Sequence, residues 1–503
     1  MTRRPFPILF ATLGVGCLLS AAEDVPAAEA RPNILMIAID DLRPMLGCYG
    51  DERAKTPNID RLAEQGMLFE RAYCNYAKCG PSRLSLMTGL RPEEIRVVGH
   101  GDKDVTAFRD RRADATTLAR WFTDHGYETR SFGKIDHDGW QQEEDWSAPP
   151  SPGREREMWE IVDPDDPSGD TIVADRLACP VMQAYDVPDD HLFAGRMTSE
   201  VVDLLAEAGE EKPFFYAVGY RRPHLPFVAP KKYFDLHAPD ESWLASNQAP
   251  PREAPPLAWF NSDGYVATAD RLGHEMPVHP DREEARLWNG FELRSYLGAP
   301  VKGLVGEKTQ LDLVHAYAAC VSYVDAQVGR LLDGLEDRGL RDNTIVLLWS
   351  DHGWHLGEMS AWSKMTNYEI ATRVPFIVSV PGKPTGRTRS FAELVDVYPT
   401  LCDLAGLERP EHLQGDVLTP VLDEGGNAVK DAVFHEHARY RGKFLGRAVR
   451  TNRYRYCEWT DVDGAVVARE LYDLENDPDE TVNVAGNEPA LVAEAAARLE
   501  KGD

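Results

Sequence analysis

Cys79-Gly80-Pro81-Ser82-Arg83 is the stretch of this chain best equipped for chemistry. A small, reactive side chain stands before a proline, with an arginine one helical turn on and the helix-like run Leu84-Ser85-Leu86-Met87-Thr88-Gly89 behind it. Pro81 fixes its own φ and restrains Gly80, so the entry to that helix is pre-set. Cys79 is then expected at a helix N-terminus, where free N–H groups and the dipole favour an anion. Arg83 adds a planar fork of donors suited to a tetrahedral oxyanion. A lone cysteine in such a place is more often a half-buried thiol, so its partners decide.

Those partners follow apolar runs. Pro32 to Ile39 is apolar without alternation, the pattern of a strand buried on both faces of a parallel sheet, and it ends in Asp40-Asp41. Carboxylates at the carboxyl end of a central strand point into the crevice where α/β sheets bind ligands. Side by side they repel and stay ionised best around a cation, although such a pair also caps turns. The strand Tyr127–Phe132 leads to Gly133-Lys134-Ile135-Asp136-His137, and the strand 213–220 leads to Arg221-Arg222-Pro223-His224. The strand 343–350 terminates in Asp351-His352-Gly353-Trp354, and Lys364 follows. Singly, each lysine or histidine reads as surface charge or packing. Four strand ends converging on one sheet edge, with Cys79 arriving from a helix start, are more specific than any one of them.

The elements that must position these residues are legible by period. Helices are expected over 58–69 (Ile59, Leu62, Ala63 and Phe69 on one side), 116–125 (capped near Asp114, stopped at Gly126), 191–208, 309–336 and 396–405. A further strand is expected at 374–380. Residues 138–190 and 235–306 are Pro-rich and aperiodic; the first reads as a long surface insertion, the second as a contributor to a substrate wall. The acidic run 163–166 lacks the glycine of a calcium-binding loop and reads as solvated. Beyond about 425 short alternating runs predict a small antiparallel sheet closed by a helix at 488–500.

A chain of 503 residues accommodates one large domain with a smaller companion. The expected division is a secretory leader at 1–22, with cleavage as late as 30, a catalytic domain at 31–425 and a C-terminal subdomain at 426–503. The leader reads from Arg3-Arg4, a short apolar run and small residues at Ser20-Ala21-Ala22, and it predicts a secreted or periplasmic protein. Lipid anchoring at Cys17 is the rival, weakened by Gly14. No other stretch is apolar enough to span a bilayer. The net charge of −28 argues against nucleic acid as a partner. The irregularly spaced cysteines do not resemble a disulfide scaffold.

The residues Cys79 to Gly89 resemble the maturation signature of the type I sulfatases, Cys-x-Pro-Ser-Arg followed by Leu-x-Thr-Gly-Arg, departing at Leu90 where the family usually has arginine. Ile37–Asp41, Pro57–Ala63, Ser350–Lys364 and Leu471–Leu474 resemble other sulfatase segments. The Gly-Lys-x-x-His spacing at 133–137 and Asp351-His352 are similar to the iduronate-2-sulfatase branch. The resemblance implies an alkaline-phosphatase-like α/β fold, with a large mixed, mostly parallel sheet flanked by helices and a small C-terminal subdomain built on an antiparallel sheet. It implies that a formylglycine-generating enzyme oxidises Cys79 to formylglycine, and that Asp40, Asp41, Asp351 and His352, with residue 79, hold one Ca²⁺. Carboxylate oxygens predominate in that set, as a hard cation requires. Arg83, Lys134 and Lys364 are then expected on the sulfate oxygens, His224 (with Lys364) as proton donor to the leaving alcohol, and His137 as base. The expected substrate is a sulfated carbohydrate, with 2-sulfated uronic acid suggested by the branch. A phosphonate or phosphodiester hydrolase and a non-catalytic carbohydrate-binding relative are the alternatives at this point.

Overall fold

The strand β1 (Asn33–Ile39) is fully buried because its two faces are covered by different cores. Leu35, Ile37 and Ile39 pack with the long helix Glu307–Asp337, while Ile34, Met36 and Ala38 pack with residues of helices Cys79–Thr88, Leu118–Asp124 and Val397–Leu404. An unbroken apolar run is what burial on both faces demands. The remaining strands are β2 (Met67–Tyr73), β3 (Glu128–Gly133), β4 (Met182–Tyr185), β5 (Phe214–Tyr220), β6 (Phe227–Pro230), β7 (Thr344–Ser350), β8 (Arg373–Val374), β9 (Phe376–Ser379) and β10 (Gly386–Glu393), then β11 (Ala432–Arg439), β12 (Phe444–Thr451), β13 (Tyr454–Asp461) and β14 (Val466–Asp473). The computed structural model describes residues 1–2, 31–137, 139–151, 179–208, 212–423, 426 and 428–502.

The main sheet has the order β10-β2-β9-β7-β1-β5-β3, with β8 beside β2. Strands β3, β5, β1 and β7 are parallel, β9 is antiparallel to β7 and β2, and β10 is parallel to β2. Register does the positioning. Ile39 pairs with Tyr220 and with Ser350, so Asp40, Arg221 and Asp351 leave the sheet at one level. Gly133 pairs with Gly219 one step earlier, which brings Lys134 to the same edge. Both glycines are required there: a Cβ on either would collide with the other strand's backbone, and Gly133 has φ +67°.

Residues 32–503 form one compact unit. Within it β11–β14 make a four-stranded antiparallel sheet, on which the helix Pro489–Lys501 packs through Leu499 against Val449, Tyr456 and Leu471. Lys430 ties this region to the main sheet, reaching Glu393 and Asp396 at 2.8 Å each. Among the described residues no helix is long and apolar enough to cross a membrane. The expected leader, Cys17 and the acidic run 163–166 lie outside the described residues.

Three expectations change. The helix at 58–69 stops at Glu64, and Phe69 belongs to β2 instead. Gly66 makes the turn, packed so close to β9 that a Cβ would lie 2.9 Å from Val378 O. Strand β10 was invisible because its first five positions are not buried, which leaves a polar sequence. The 138–190 segment is not mere surface: Trp140 and Trp146 near its start are buried, and β4 near its end pairs with β6.

One buried acid outside the site makes a pH prediction. Glu436 is 5% exposed, and burial with the nearby charge of Glu93 pushes its carboxyl up to about 8. Its folded value lies above the unfolded one, so its stabilising contribution is complete below the unfolded pKa and is lost as pH rises through the folded one. Glu436→Gln should therefore raise Tm relative to the parent, with a gain that grows between about pH 5 and about pH 9. Thermal melts across that range check it; a gain independent of pH would show the carboxyl is not the cause.

Candidate active site

The helix Cys79–Thr88 begins at the predicted residue and ends at Gly89, whose φ of +64° closes it in the left-handed conformation. Cys79 is buried, and its Sγ lies 3.2 Å from His352 Nε2. One turn on, Ser82 Oγ donates to Asp351 O at 2.6 Å, which fastens the helix to the end of β7. Ligand-capable atoms of Asp40, Asp41, Cys79 and His224 lie within 4.8 Å of one another, as do those of Asp40, Cys79, Asp351 and His352. The strand ends and the helix start thus meet as the sequence predicts.

Arg83 is placed differently from expectation. Its Nε donates to Asp351 Oδ2 at 2.8 Å, its Nη1 to the carbonyls of Lys134 and Ile135, and its Nη2 lies 3.4 Å from Asp40 Oδ1. The guanidinium also lies 5.5 Å from the Trp349 ring centroid, with its side chain fully enclosed. Its donors are largely spent on the acids and on the backbone that carries Lys134. Arg83 therefore braces the carboxylates instead of opening onto a ligand. Lys134 Nζ donates to Asp40 Oδ2, and Lys364 Nζ to Asp41 at 3.0 and 3.2 Å, 4.9 Å from the Trp354 ring centroid.

Asp41 sits at φ +61°, a conformation that costs a non-glycine residue about 1 kcal/mol or more. The surroundings hold it there. Its N–H donates to Asp351 Oδ1 at 3.2 Å, its carbonyl accepts from Tyr317 of the long helix at 2.8 Å, and Leu42 N–H donates to Ser350 Oγ at 3.0 Å. This turn aims the two adjacent carboxylates into the same pocket.

The charges in the pocket are unequal in their support. Burial would raise Asp40, but Lys134, His224 and Arg83 outweigh it and hold the carboxyl well below its ordinary value. Burial and the neighbouring Asp40 push Asp41 well above, against the pull of Lys364. Lys364 is pushed well above its ordinary value, the carboxylates of Asp41 and Glu292 outweighing its burial. The Cys79 thiol is pushed up to about 12 by burial and Asp40, so it holds its proton near neutrality and is a poor nucleophile as it stands.

Two histidines have tautomers fixed by carbonyls. His352 Nδ1 lies 3.0 Å from Gly353 O, so it carries the proton and Nε2 presents a lone pair to Cys79, to Asp41 at 3.5 Å and to Asp351 at 3.6 Å. His224 Nδ1 lies 2.6 Å from Leu225 O, leaving Nε2 3.5 Å from Glu292 Oε1. Burial, with Lys364 nearby, holds His224 well below the ordinary imidazole value. His137 is half-buried and stacks on His100 at 3.9 Å, beside Trp140, whose ring closes over Gly80.

Sequence reasoning missed Glu292. It lies on the short helix Phe291–Arg294 inside the 235–306 segment, 2% exposed, and accepts from Lys364 Nζ at 3.0 Å and Ser363 Oγ at 2.6 Å. Nothing in a Pro-rich, aperiodic stretch marks one glutamate, so only the fold reveals it.

The donor set fits a divalent cation. The carboxylates of Asp40, Asp41 and Asp351 and the His352 imidazole converge there, and burial beside Asp40 disfavours the charge on Asp41, a repulsion a cation would relieve. With Glu292 the cluster holds four buried carboxylates, held by Arg83, Lys134 and Lys364. Oxygen-rich donors suit a hard ion.

A sequence model of the sulfatase family matches residues 32–407, and one of the C-terminal region of N-sulphoglucosamine sulphohydrolase matches residues 357–501. The chain belongs to the sulfatase family. Iduronate 2-sulfatase of Mus musculus is 32% identical over 550 residues, covering 94% of this chain and 94% of that protein, which places this sulfatase in the iduronate-2-sulfatase branch of the type I enzymes and makes it a sulfuric ester hydrolase. A solved 2-O GAG sulfatase superposes with a TM-score of 0.67 at 24% identity, covering 94% of this chain and 91% of that one. The phosphonate monoester hydrolase of Agrobacterium radiobacter superposes with a TM-score of 0.66 at 22% identity over 94% and 95% of the two chains. At those identities the superpositions report the shared alkaline-phosphatase-like fold. In this sulfatase the departure at Leu90 is absorbed locally: Leu90 packs with Leu84 and Ile95, and Arg91 pairs with Glu393 at 2.8 and 2.7 Å.

Proposed function

We propose that this sulfatase is a secreted or periplasmic enzyme that removes sulfate from a sulfated sugar, 2-O-sulfated uronic acid in a polysaccharide being the substrate its branch favours. The nucleophile in this reading is residue 79 after oxidation to formylglycine, whose aldehyde adds one water to give two geminal hydroxyls. The observation that carries it is Cys79 at a helix start, within reach of Asp40, Asp41, Asp351 and His352.

The roles proposed for the chain's own residues follow from their contacts and, for His137, from the family resemblance. Asp40, Asp41, Asp351 and His352 would hold a Ca²⁺, which when bound polarises a sulfate oxygen and lowers the pKa of a hydroxyl on residue 79. Arg83 fixes Asp40 and Asp351 in place. Lys134 and Lys364, charged in the pocket, take the sulfate oxygens and offset charge as the S–O bond lengthens. His224 gives a proton to the departing alcohol oxygen. Its proton arrives with the substrate, because an anion in the pocket favours the imidazolium that burial otherwise opposes. His137 takes the proton from the second hydroxyl of residue 79, which expels sulfate and restores the aldehyde.

The test is peptide mass spectrometry across residue 79 after co-expression with a formylglycine-generating enzyme, followed by turnover on defined saccharides sulfated at single positions. Conversion of residue 79 and a preference for 2-O-sulfated uronates over 4-nitrophenyl phosphonate esters are expected. An unconverted, fully active Cys79 overturns the nucleophile, and a phosphonate preference overturns the substrate class.

Chelation provides a separate check. Removing divalent ions with EGTA should abolish turnover and lower Tm, because Asp40, Asp41 and Asp351 then repel without a partner. Ca²⁺ should restore both better than Mg²⁺, which demands a tighter octahedral shell. Unchanged activity and Tm after exhaustive chelation would exclude the metal role.

A further inference from the structure

At the outer edge of the main sheet, where β2, β8 and β10 approach the C-terminal sheet, lies a cleft of about 450 Å³ lined by Arg71, Arg373, Arg389 and Arg450. None of the residues of the catalytic cluster lines it. Its acidic walls are already neutralised: Glu369 by Arg450 at 3.0 Å, Glu475 by Arg453 at 3.3 Å and Glu70 by Arg387 at 3.9 Å. Arg71, Arg373 and Arg389 make no ion pair among the described residues. Neutral partners hold two of them in place. Arg71 donates to Asn452 Oδ1 at 2.7 Å and lies 5.4 Å from the Phe391 ring centroid. Arg373 donates to Glu70 O at 2.8 Å and lies 5.9 Å from the Tyr49 ring centroid. Their orientation is set while their charge is unspent.

Three guanidinium groups without an ion pair face one cavity in a chain of net charge −28, with the Glu369 carboxylate near Arg71 and Arg373 already taken by Arg450. Like charges crowded together destabilise one another unless an anion joins them. Arg71 shows the strain, since burial and the charges of Arg389 and Arg450 hold it below its ordinary value. Guanidinium forks match the paired oxygens of a sulfate ester, and an acidic surface that repels an anionic polymer gains most from a local cationic anchor.

We propose that this cleft is a remote subsite that binds a sulfate group of the polysaccharide chain at a residue other than the one being desulfated. The proposal rests on the sulfated-sugar reading above. It would make affinity depend on chain length while leaving the chemistry at residue 79 untouched.

The test compares wild type with Arg71→Gln/Arg389→Gln, and with Arg389→Glu alone, whose exposed side chain puts folding at no risk. Calorimetric titrations use a heparin octasaccharide, a heparin disaccharide and inorganic sulfate, alongside turnover of 4-nitrophenyl sulfate. Both variants should bind the octasaccharide about tenfold more weakly, as loss of charge-assisted contacts predicts, with disaccharide affinity and chromogenic turnover unchanged. Equal octasaccharide affinity in all three proteins overturns the subsite. Sensitivity to inorganic sulfate alone also overturns it, leaving a free-anion site. If no sulfated sugar is hydrolysed but octasaccharide binding still depends on these arginines, the functional reading falls and the subsite stands.

Discussion

Cys79→Ser should consume one equivalent of substrate and then stop. A serine hydroxyl at the start of the helix occupies the place of the sulfur, close to His352 Nε2 and the acid cluster, so it can accept a sulfuryl group from the same pose. It has no second hydroxyl whose deprotonation would expel that group, so the sulfated serine persists. Steady-state turnover should fall on the order of a thousandfold or more, the scale of losing a nucleophile. A stoichiometric burst should remain, with the peptide containing residue 79 heavier by one sulfate. Cys79→Ala should show neither burst nor adduct, which separates a blocked nucleophile from a damaged pocket. Full turnover by a protein whose residue 79 is confirmed as serine would refute the two-hydroxyl account. The bracing of Asp351 by Ser82 and Arg83 does not involve the residue 79 side chain, so stability should change little in either variant.

Much of this site was legible because the sheet does the work. Residues buried on both faces leave an unbroken apolar run, and the next residue after it, Asp40 or Asp351, falls at the ligand-binding edge by geometry alone. The Gly133-Lys134 step is readable for a related reason, since the glycine permits the close strand contact that lifts Lys134 to the same level. The failures share a cause too. Strands β2 and β10 lie at the sheet's outer side, where Glu70, Arg71 and the polar start of β10 are tolerated, so alternation is lost and β2 is absorbed into the preceding helical pattern. Arg83 was expected on the sulfate oxygens, but which oxygens its fork meets depends on carbonyls of residues 134 and 135, more than forty positions away. An anionic substrate on an acidic protein calls for local positive charge, and Lys134 and Lys364 are buried beside acids that keep them charged.

Glu292→Gln should separate the chemistry of a poor leaving group from that of a good one. One oxygen of Glu292 serves Lys364 Nζ at 3.0 Å and faces His224 Nε2 at 3.5 Å, and the other accepts from Ser363 at 2.6 Å. In the proposed reaction the carboxylate thus steadies His224 in the one state that matters, the imidazolium present when the alcohol leaves. Glutamine keeps the size and can still accept from Ser363, but it removes the charge that favours a proton on His224. Turnover of a sugar sulfate, whose alkoxide must be protonated, should fall about a hundredfold, the usual contribution of a general acid. Turnover of 4-nitrophenyl sulfate, whose phenolate leaves without help, should fall far less. A merely structural fault would lower both rates together, and Glu292→Asp, which restores the charge on a shorter stem, should recover part of the sugar-sulfate rate only if the charge is what counts. Equal losses on the two substrates would remove Glu292 from proton transfer and leave it as an anchor for Lys364 alone.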